Sequence, residues 1–218
     1  MEINFKVILI GAVALAAGVY LQLFGFNPPV RSVSVEAPDI QGFFWPKQKA
    51  LDEFELVSQH NTPFTLDSMK GDWNFIFFGY TYCPDICPIT MNTMRQVRET
   101  LSNNPETDYV STKFSFISVD GERDTPEILD AYVSYFGESF QGATGNATQV
   151  NSLVTQLGVP YTIDDHEQGN TTYLVGHSAA IFLISPAGKL AAIFQAPHSA
   201  AEISDKFIQI DSFMRNNS

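Results

Sequence analysis

The stretch NFIFFGYTYCPDICP, residues 74–88, is the strongest indication of the fold of this chain. Residues 74–80 form an apolar run that ends near a glycine, which predicts a buried strand, and the proline-rich segment after it predicts the start of a helix. The only two cysteines of the sequence, Cys83 and Cys87, lie between this strand and this helix. They are therefore predicted at a strand-to-helix turn. Because residues i and i+4 of a helix share one face, the two sulfurs can face a single small object. That object is either a soft metal ion or an oxidant.

The length and the charge of the chain limit the function classes. A chain of 218 residues has room for one typical domain and a tail. The formal net charge is −12, from 24 acidic and 12 basic residues. Nucleic-acid binding depends on the neutralisation of phosphates by Lys and Arg, so we expect no nucleic acid partner.

The N-terminus predicts a membrane anchor. Residues 1–6 form a short N-terminal tail, and residues 7–26 form an uncharged run with one polar interruption at Gln22. A helix of about 20 residues spans the hydrocarbon core of a bilayer. A cleaved signal peptide is the alternative, since residues 14–17 offer small side chains to a peptidase. Both interpretations place the domain outside the cytoplasm, and we expect a single-pass protein of the cytoplasmic (inner) membrane whose soluble domain is periplasmic or otherwise extracytoplasmic.

The rest of the chain predicts a linker and one α/β domain. Residues 27–50 contain four prolines and few periodic apolar positions, which is typical of a linker, so the domain is expected at 51–218. The pattern within it predicts a thioredoxin-like fold with an N-terminal strand and hairpin insertions. Strands are expected at 54–58, 61–66, 74–80, 113–120, 179–184 and 190–195, a hairpin at 161–163 and 171–175, and helices around 91–98, from 124 onward, at 146–157 and at 201–213.

The cysteine turn favours reactive or metal-binding thiols. A helix N-terminus lowers the pKa of a thiol from its ordinary value of about 8.5, which favours the thiolate that binds metals and attacks disulfides. Exported cysteines tend to form disulfides unless a reductant or a metal intervenes. A disulfide between Cys83 and Cys87 is therefore an alternative, but it closes so small a loop that it adds little stability.

A histidine supplies the expected third ligand. His177 precedes the apolar strand 180–184, and in a thioredoxin-like fold the loop before that strand faces the cysteine turn. His166 lies in an acidic hairpin turn, where we expect it to be solvated, and His60 and His198 flank other turns. Two thiolates and one imidazole favour copper(I), copper(II) or zinc over magnesium or calcium.

Three motifs in order resemble the Sco/SenC family of membrane-anchored copper proteins. They are CPDICP at 83–88, SVDGERDTPE at 118–127 and GHSA at 176–179. The resemblance, which extends over about 50–213, implies a thioredoxin-like copper metallochaperone that helps to build the binuclear copper site of cytochrome c oxidase. It also implies as partners the copper-bearing subunit of the oxidase, a copper donor and a thioredoxin-like thiol reductant.

The resemblance also assigns roles to individual residues. It makes Cys83 and Cys87 the thiolate ligands and His177 the imidazole ligand of a copper ion, as Cu(I) and as Cu(II). Asp120 and Asp124 match an acidic loop near the family's site, and the alternative for them is a strand-end turn and a helix cap. Gly121 stands where the family usually has proline after the first aspartate.

A thiol-disulfide oxidoreductase is the alternative function. It would use Cys83 and Cys87 to reduce a partner's disulfide. Enzymes of that class usually have two residues between their thiols and need no histidine beside them. Three intervening residues and His177 favour metal binding. A peroxidase of the same fold is disfavoured, because Asp85 stands where a peroxide-reducing thiolate needs a positive neighbour.

Overall fold

A mixed eight-stranded sheet forms the centre of the domain. The computed structural model describes residues 37–107, 111–167 and 169–217, together with Tyr20. The strand order is β1-β10-β9-β4-β5-β6-β2-β3, with β7 and β8 in a separate two-stranded sheet. The strands are β1 Gly42–Ala50, β2 Glu55–Ser58, β3 Pro63–Thr65, β4 Trp73–Gly79, β5 Thr112–Ser118, β6 Phe140–Thr144, β7 Tyr161–Ile163, β8 Val175–His177, β9 Ile181–Ile184 and β10 Lys189–Phe194. The helices are α1 Leu66–Met69, α2 Ile86–Ser102, α3 Pro126–Ser134, α4 Ala147–Leu157 and α5 Ala200–Asn216, with a 3-10 turn at Pro105–Thr107.

Strand β4 lies at the centre of the sheet, as its apolar sequence predicts. Every residue of β4 is buried. It pairs in parallel with β5 and antiparallel with β9, while β5 and β6 are parallel. Helix α2 contacts β4, β5 and α5. The ring of Phe75 contacts those of Phe114 and Phe207, with centroid distances of 5.0 and 5.2 Å. A parallel βαβ unit joined to antiparallel strands is the thioredoxin-like α/β arrangement that the sequence predicts.

Two strands of the sheet were not predicted from the sequence. Residues 42–50 belong to β1, which pairs antiparallel with β10, so the assignment of this stretch to the linker is wrong. A register shift between Phe44 and Lys49 accommodates Pro46, which cannot donate a ladder hydrogen bond. The other strand is β6, whose Gly142 leaves space for α3. A Cβ atom added at this glycine would lie 3.2 Å from side-chain atoms of both Leu129 and Val133.

The helix ends follow the capping residues of the sequence, with one difference. Asn146 caps α4, and Gly158 ends it in the left-handed region with φ 69°, so the helix lies where the sequence predicts one, at 146–157. Helix α3 is capped by Thr125, which accepts a hydrogen bond from the amide of Ile128. The helix-cap alternative for Asp124 is therefore wrong, because the neighbouring threonine takes that position.

The second strand of the small two-stranded sheet lies later in the sequence than predicted. Strand β7 is where we expect it, but its partner β8 begins at Val175, where the predicted strand ends. The register pairs Tyr161 with His177 and Ile163 with Val175. His177 is consequently the last residue of a strand, not part of a loop.

The predicted anchor, residues 7–26, lies outside the described residues except for Tyr20. Among the residues that the structure describes, no helix has the length and apolar character needed to cross a membrane.

Candidate metal centre

Two cysteines and one histidine converge at the carboxyl end of β4. One ligand atom from each of Cys83, Cys87 and His177 lies within 4.8 Å of the other two. The Sγ atom of Cys87 is 3.1 Å from Nε2 of His177. Both cysteines are buried free thiols. Within the described ranges, no other group of three or more His, Cys, Asp and Glu side chains is arranged in this way.

A turn, not a shared helix face, brings the two sulfurs together. Helix α2 begins at Ile86, so Cys83 precedes it and only Cys87 is helical. The amide of Cys83 donates to the carbonyl of Tyr80 at 3.2 Å, and the amide of Cys87 donates to Sγ of Cys83 at 3.4 Å. The expectation that both cysteines lie on one helix is wrong, because the chain turns tightly before the helix starts.

Gly79 gives the thiol of Cys87 its space. A Cβ atom at this position would lie 2.6 Å from Sγ of Cys87 and 2.9 Å from the ring of Phe116. Both distances are shorter than van der Waals contact, so a side chain at residue 79 would displace the sulfur or the ring. The glycine at the end of β4 is therefore part of the architecture of the site.

The imidazole of His177 is oriented for binding through Nε2. Its Nδ1 atom lies 3.0 Å from the carbonyl oxygen of Ser178. A carbonyl can only accept, so Nδ1 carries the proton and Nε2 keeps its lone pair. The rings of Phe77 and Tyr80 approach the imidazole edge-on, each with a centroid distance of 5.8 Å. Such a hydrogen bond on the far nitrogen is typical of histidines that bind metals.

The two thiols differ in acidity. A hydrogen bond from Cys87, aided by backbone amides, lowers the pKa of Cys83 to about 4 in spite of burial. Burial raises the pKa of Cys87, and the neighbouring Cys83 raises it further. At neutral pH Cys83 is therefore a thiolate and Cys87 a thiol that donates its proton. A bound cation favours the loss of that second proton.

Asp124 holds the cysteine loop through its first residues. Its carboxylate accepts hydrogen bonds from the amide and the hydroxyl of Thr81, at 2.8 and 2.6 Å, and from the hydroxyl of Ser118. Burial raises the pKa of Asp124. Asp124 thus joins the residue that begins the cysteine loop to the end of β5, and it does not belong to the group formed by Cys83, Cys87 and His177.

Asp120 belongs to a second buried cluster, which sequence reasoning did not identify. It pairs with Nε of Arg123 and accepts a hydrogen bond from the hydroxyl of Tyr173 at 2.6 Å. Arg123 and Tyr173 were not selected as site residues. The available signal was an arginine between two acids in a segment that follows a buried strand, where a charge needs a partner.

The other three histidines do not join the cysteines. His60 is exposed, 3.9 Å from Asp130, and Nε2 of His198 donates to the carbonyl of Ala179 at 2.6 Å. The expectation that His166 is solvated is wrong. Its ring stacks on Tyr173 at 3.6 Å, and its Nε2 atom lies 3.0 Å from Glu122.

Comparisons with known proteins agree with this geometry. The family model described as SCO1/SenC matches residues 46–210, which is more than half of the chain. A protein of Stutzerimonas stutzeri that is named for copper binding is 38% identical over 152 residues, covering 70% of this chain and 72% of that protein. An SCO2-like protein of Rickettsia prowazekii is 30% identical over 202 residues, covering 93% of this chain and 95% of the relative.

Solved structures with copper bound resemble the domain. The ScoI structure of Arabidopsis thaliana aligns with a TM-score of 0.68 at 28% identity, over 74% of this chain and 97% of that one. The yeast Sco1 structure aligns with a TM-score of 0.67 at 27% identity, over 74% of this chain and 87% of that one. The thioredoxin-like fold and the family resemblance are both confirmed.

Proposed function

The chain belongs to the SCO1/SenC family, and we propose that it is a copper metallochaperone that helps to assemble the binuclear copper site of cytochrome c oxidase. The observation that carries the proposal is the convergence of Cys83, Cys87 and His177 within 4.8 Å of one another. Two sulfurs and one imidazole nitrogen are soft and borderline ligands, which suit copper. Relatives named or solved with copper support the choice of metal.

The donor set suits both oxidation states of copper. Two thiolates and one imidazole supply the three ligands that copper(I) accepts, and two thiolates balance the charge of copper(II). Binding requires Cys87 to release its proton, and the protein orients the remaining donors beforehand: Cys83 is already a thiolate, and Nε2 of His177 is unprotonated because Nδ1 donates to Ser178.

The surroundings of the site suit contact with a partner protein. Tyr82 and Ile89, on either side of the cysteine turn, are 52% and 56% exposed. Apolar side chains beside a reactive site are typical of protein contact surfaces. We assign as partners the copper-bearing subunit of the oxidase, a copper donor and a thioredoxin-like reductant that keeps the two cysteines reduced.

A thiol-disulfide oxidoreductase is the second candidate, and the acidity difference between the cysteines favours it. The Cys83 thiolate would attack a partner's disulfide and release one partner thiolate. Cys87, after losing its proton, would then attack the sulfur of Cys83 and release the second. The partner gains two electrons and leaves as a dithiol, and this chain becomes a Cys83–Cys87 disulfide that an external thiol must reduce.

A deletion strain separates the two functions. If the protein delivers copper, the strain loses cytochrome c oxidase activity, and added copper restores part of it by mass action. If the protein is a reductant, a membrane-permeant thiol restores activity and copper does not. Complementation with His177→Ala sharpens the test, since only metal delivery needs the imidazole. Full oxidase activity with His177→Ala, or rescue by thiol alone, contradicts copper delivery.

We further propose that residues 7–26 anchor the protein and that the domain lies outside the cytoplasm. The support is an uncharged run of spanning length. Protease added to spheroplasts should digest the domain, and the mature N-terminus should precede residue 7. A domain that resists protease until the cells are lysed, or a mature protein that begins near residue 18, would refute the anchor.

A further inference from the structure

A buried arginine lies between the two parts of the proposed metal site. Arg123 follows β5, and only 4% of its side chain is exposed. Its Nε atom pairs with Asp120, whose side chain is 1% exposed. A buried ion pair adds little stability compared with well-packed apolar residues, so its presence raises the question of what the charge positions.

One side of the guanidinium holds the segment that leads to His177. Nη1 of Arg123 donates to the carbonyls of Thr171 and Tyr173, at 3.0 and 2.9 Å. The guanidinium carbon also lies 3.6 Å from the centroid of the Tyr173 ring, and the hydroxyl of Tyr173 donates to Asp120 at 2.6 Å. Tyr173 precedes β8 by two residues. These contacts therefore fix the start of the strand that ends at His177.

Other contacts of the same guanidinium reach the cysteine loop. Its central carbon is 5.4 Å from the ring centroid of Tyr80 and 5.2 Å from that of Tyr82. Tyr82 directly precedes Cys83, and the ring of Tyr80 meets the imidazole of His177 edge-on at 5.8 Å. Cation–π contacts within about 6 Å are attractive and directional. One arginine thus contacts the chain segments that carry the thiols and the segment that carries the imidazole.

We propose that Arg123 is a positioning residue that holds His177 in register with the two cysteines. The inference rests on the proposed copper site. A lysine cannot replace the arginine, because it offers a point charge where the guanidinium offers a planar fork of donors to Asp120 and to two carbonyls. Without the fork, the segment before β8 is released, and Nε2 of His177 loses its fixed place beside Sγ of Cys87. The two cysteines keep their positions, since Asp124 holds the start of their loop and the turn joins Cys87 to Cys83.

The test compares Arg123→Lys with Arg95→Lys in the reduced full chain. Arg95 is a matched control because it also pairs with an acid, Glu99, but on the partly exposed surface of α2. We expect Arg123→Lys to bind copper(II) about tenfold more weakly or worse, with an altered thiolate-to-copper absorption and loss of the nitrogen coupling of His177. Copper(I) binding through two thiolates should persist. Arg95→Lys should match the wild type in every measurement.

A measurement without metal separates this inference from the proposed function. In metal-free wild-type protein, proton–nitrogen correlation NMR of the His177 ring should detect a single tautomer with the proton on Nδ1. In Arg123→Lys, exchange between tautomers should average the two nitrogens. If the wild type binds no copper but the tautomer still depends on Arg123, the copper function is wrong and the positioning role stands. If the imidazole and the copper(II) spectrum are unchanged in Arg123→Lys, the positioning role is wrong.

A second variant covers the case in which Arg123→Lys does not fold. Tyr173→Phe keeps the ring under the guanidinium and removes only the hydroxyl that donates to Asp120. We expect a smaller loss of copper(II) affinity in the same direction, about threefold. An affinity and a His177 signal equal to those of the wild type in Tyr173→Phe, when Arg123→Lys is unfolded, would overturn the inference.

Discussion

The cysteine turn and the histidine strand reach the same point by different routes. Cys83 and Cys87 are four residues apart and are fixed by their own turn, by Gly79 and by the start of α2. His177 comes from a two-stranded sheet outside the main one and follows Cys87 by 90 residues. Cys83 and Cys87, the local half of the site, are positioned mainly by residues close to them in the sequence. His177, the distant half, depends on packing against other segments. The position of His177 is therefore the part of the site that depends on tertiary structure.

The largest effect is expected when the local half is broken. Cys83→Ser and Cys87→Ser each leave one soft ligand beside the imidazole, so copper(I) affinity should fall by at least about 100-fold, beyond the range expected for residues that only orient ligands. Competition with a chromophoric copper(I) chelator measures this in the reduced chain. Retention of tight binding by either variant would show that the two sulfurs do not share the ion.

A smaller effect is expected when the distant half is broken. His177→Ala removes the proposed nitrogen ligand and leaves both thiolates, so copper(II) affinity should fall by about 10- to 100-fold, and copper(I) affinity by less. His60→Ala is the matched control, since His60 is exposed and contacts neither cysteine. Equal affinities for His177→Ala and His60→Ala would mean that the third ligand is another residue.

The local half can also be disturbed without removing a ligand. In Gly79→Ala the new methyl group would meet Sγ of Cys87 and the ring of Phe116. Overpacking of this kind costs about 1–3 kcal/mol of the free energy of unfolding. Chemical denaturation of the reduced, copper-free chain measures the loss, with Gly71→Ala as a comparison in which no atom lies within 4 Å of the new Cβ but φ is 91°. A Gly79→Ala protein as stable as the wild type would contradict the close contact.

The same contrast explains what the sequence could predict. Strand β4, the cysteine turn and the ends of α4 depend on short patterns such as the 74–80 apolar run, Asn146 and Gly158, and these predictions are confirmed. Strand β1 was missed because the segment around Pro46 is rich in proline, which is typical of a linker. Only the pairing of this segment with β10 makes it a strand. Arg123 was missed because its carbonyl partners are 48 and 50 residues away along the chain. The local sequence indicates that the charge of Arg123 needs a partner, but it does not indicate these distant carbonyls.

The smallest expected effect is a pH dependence of the stability that the contact between His166 and Glu122 contributes. Hydrogen bonds to the Asp164 carbonyl and to Glu122 raise the pKa of His166 above its ordinary value of 6.5, and His166 lowers the pKa of Glu122 below 4.5. The His166–Glu122 contact therefore stabilises the folded state fully between pH 4.5 and pH 6.5, the ordinary pKa values of the two groups. This stabilisation is lost as pH rises through the raised pKa of His166, and it is also lost as pH falls through the lowered pKa of Glu122.

The variant His166→Gln tests this pH dependence. The Tm advantage of the wild type over His166→Gln, in copper-free reduced protein, should be larger at about pH 5.5 than at about pH 8.5. His60→Gln serves as the control. An advantage that is the same at both values of pH would show that the His166–Glu122 contact does not respond to protonation.

X-ray absorption at the copper edge measures the proposed ligand set itself. In the reduced full chain loaded with copper, we expect two sulfur neighbours and one nitrogen neighbour, with the nitrogen lost in His177→Ala and retained in His60→Ala. A spectrum with fewer than two sulfurs, or a nitrogen that persists in His177→Ala, would contradict a site built from Cys83, Cys87 and His177.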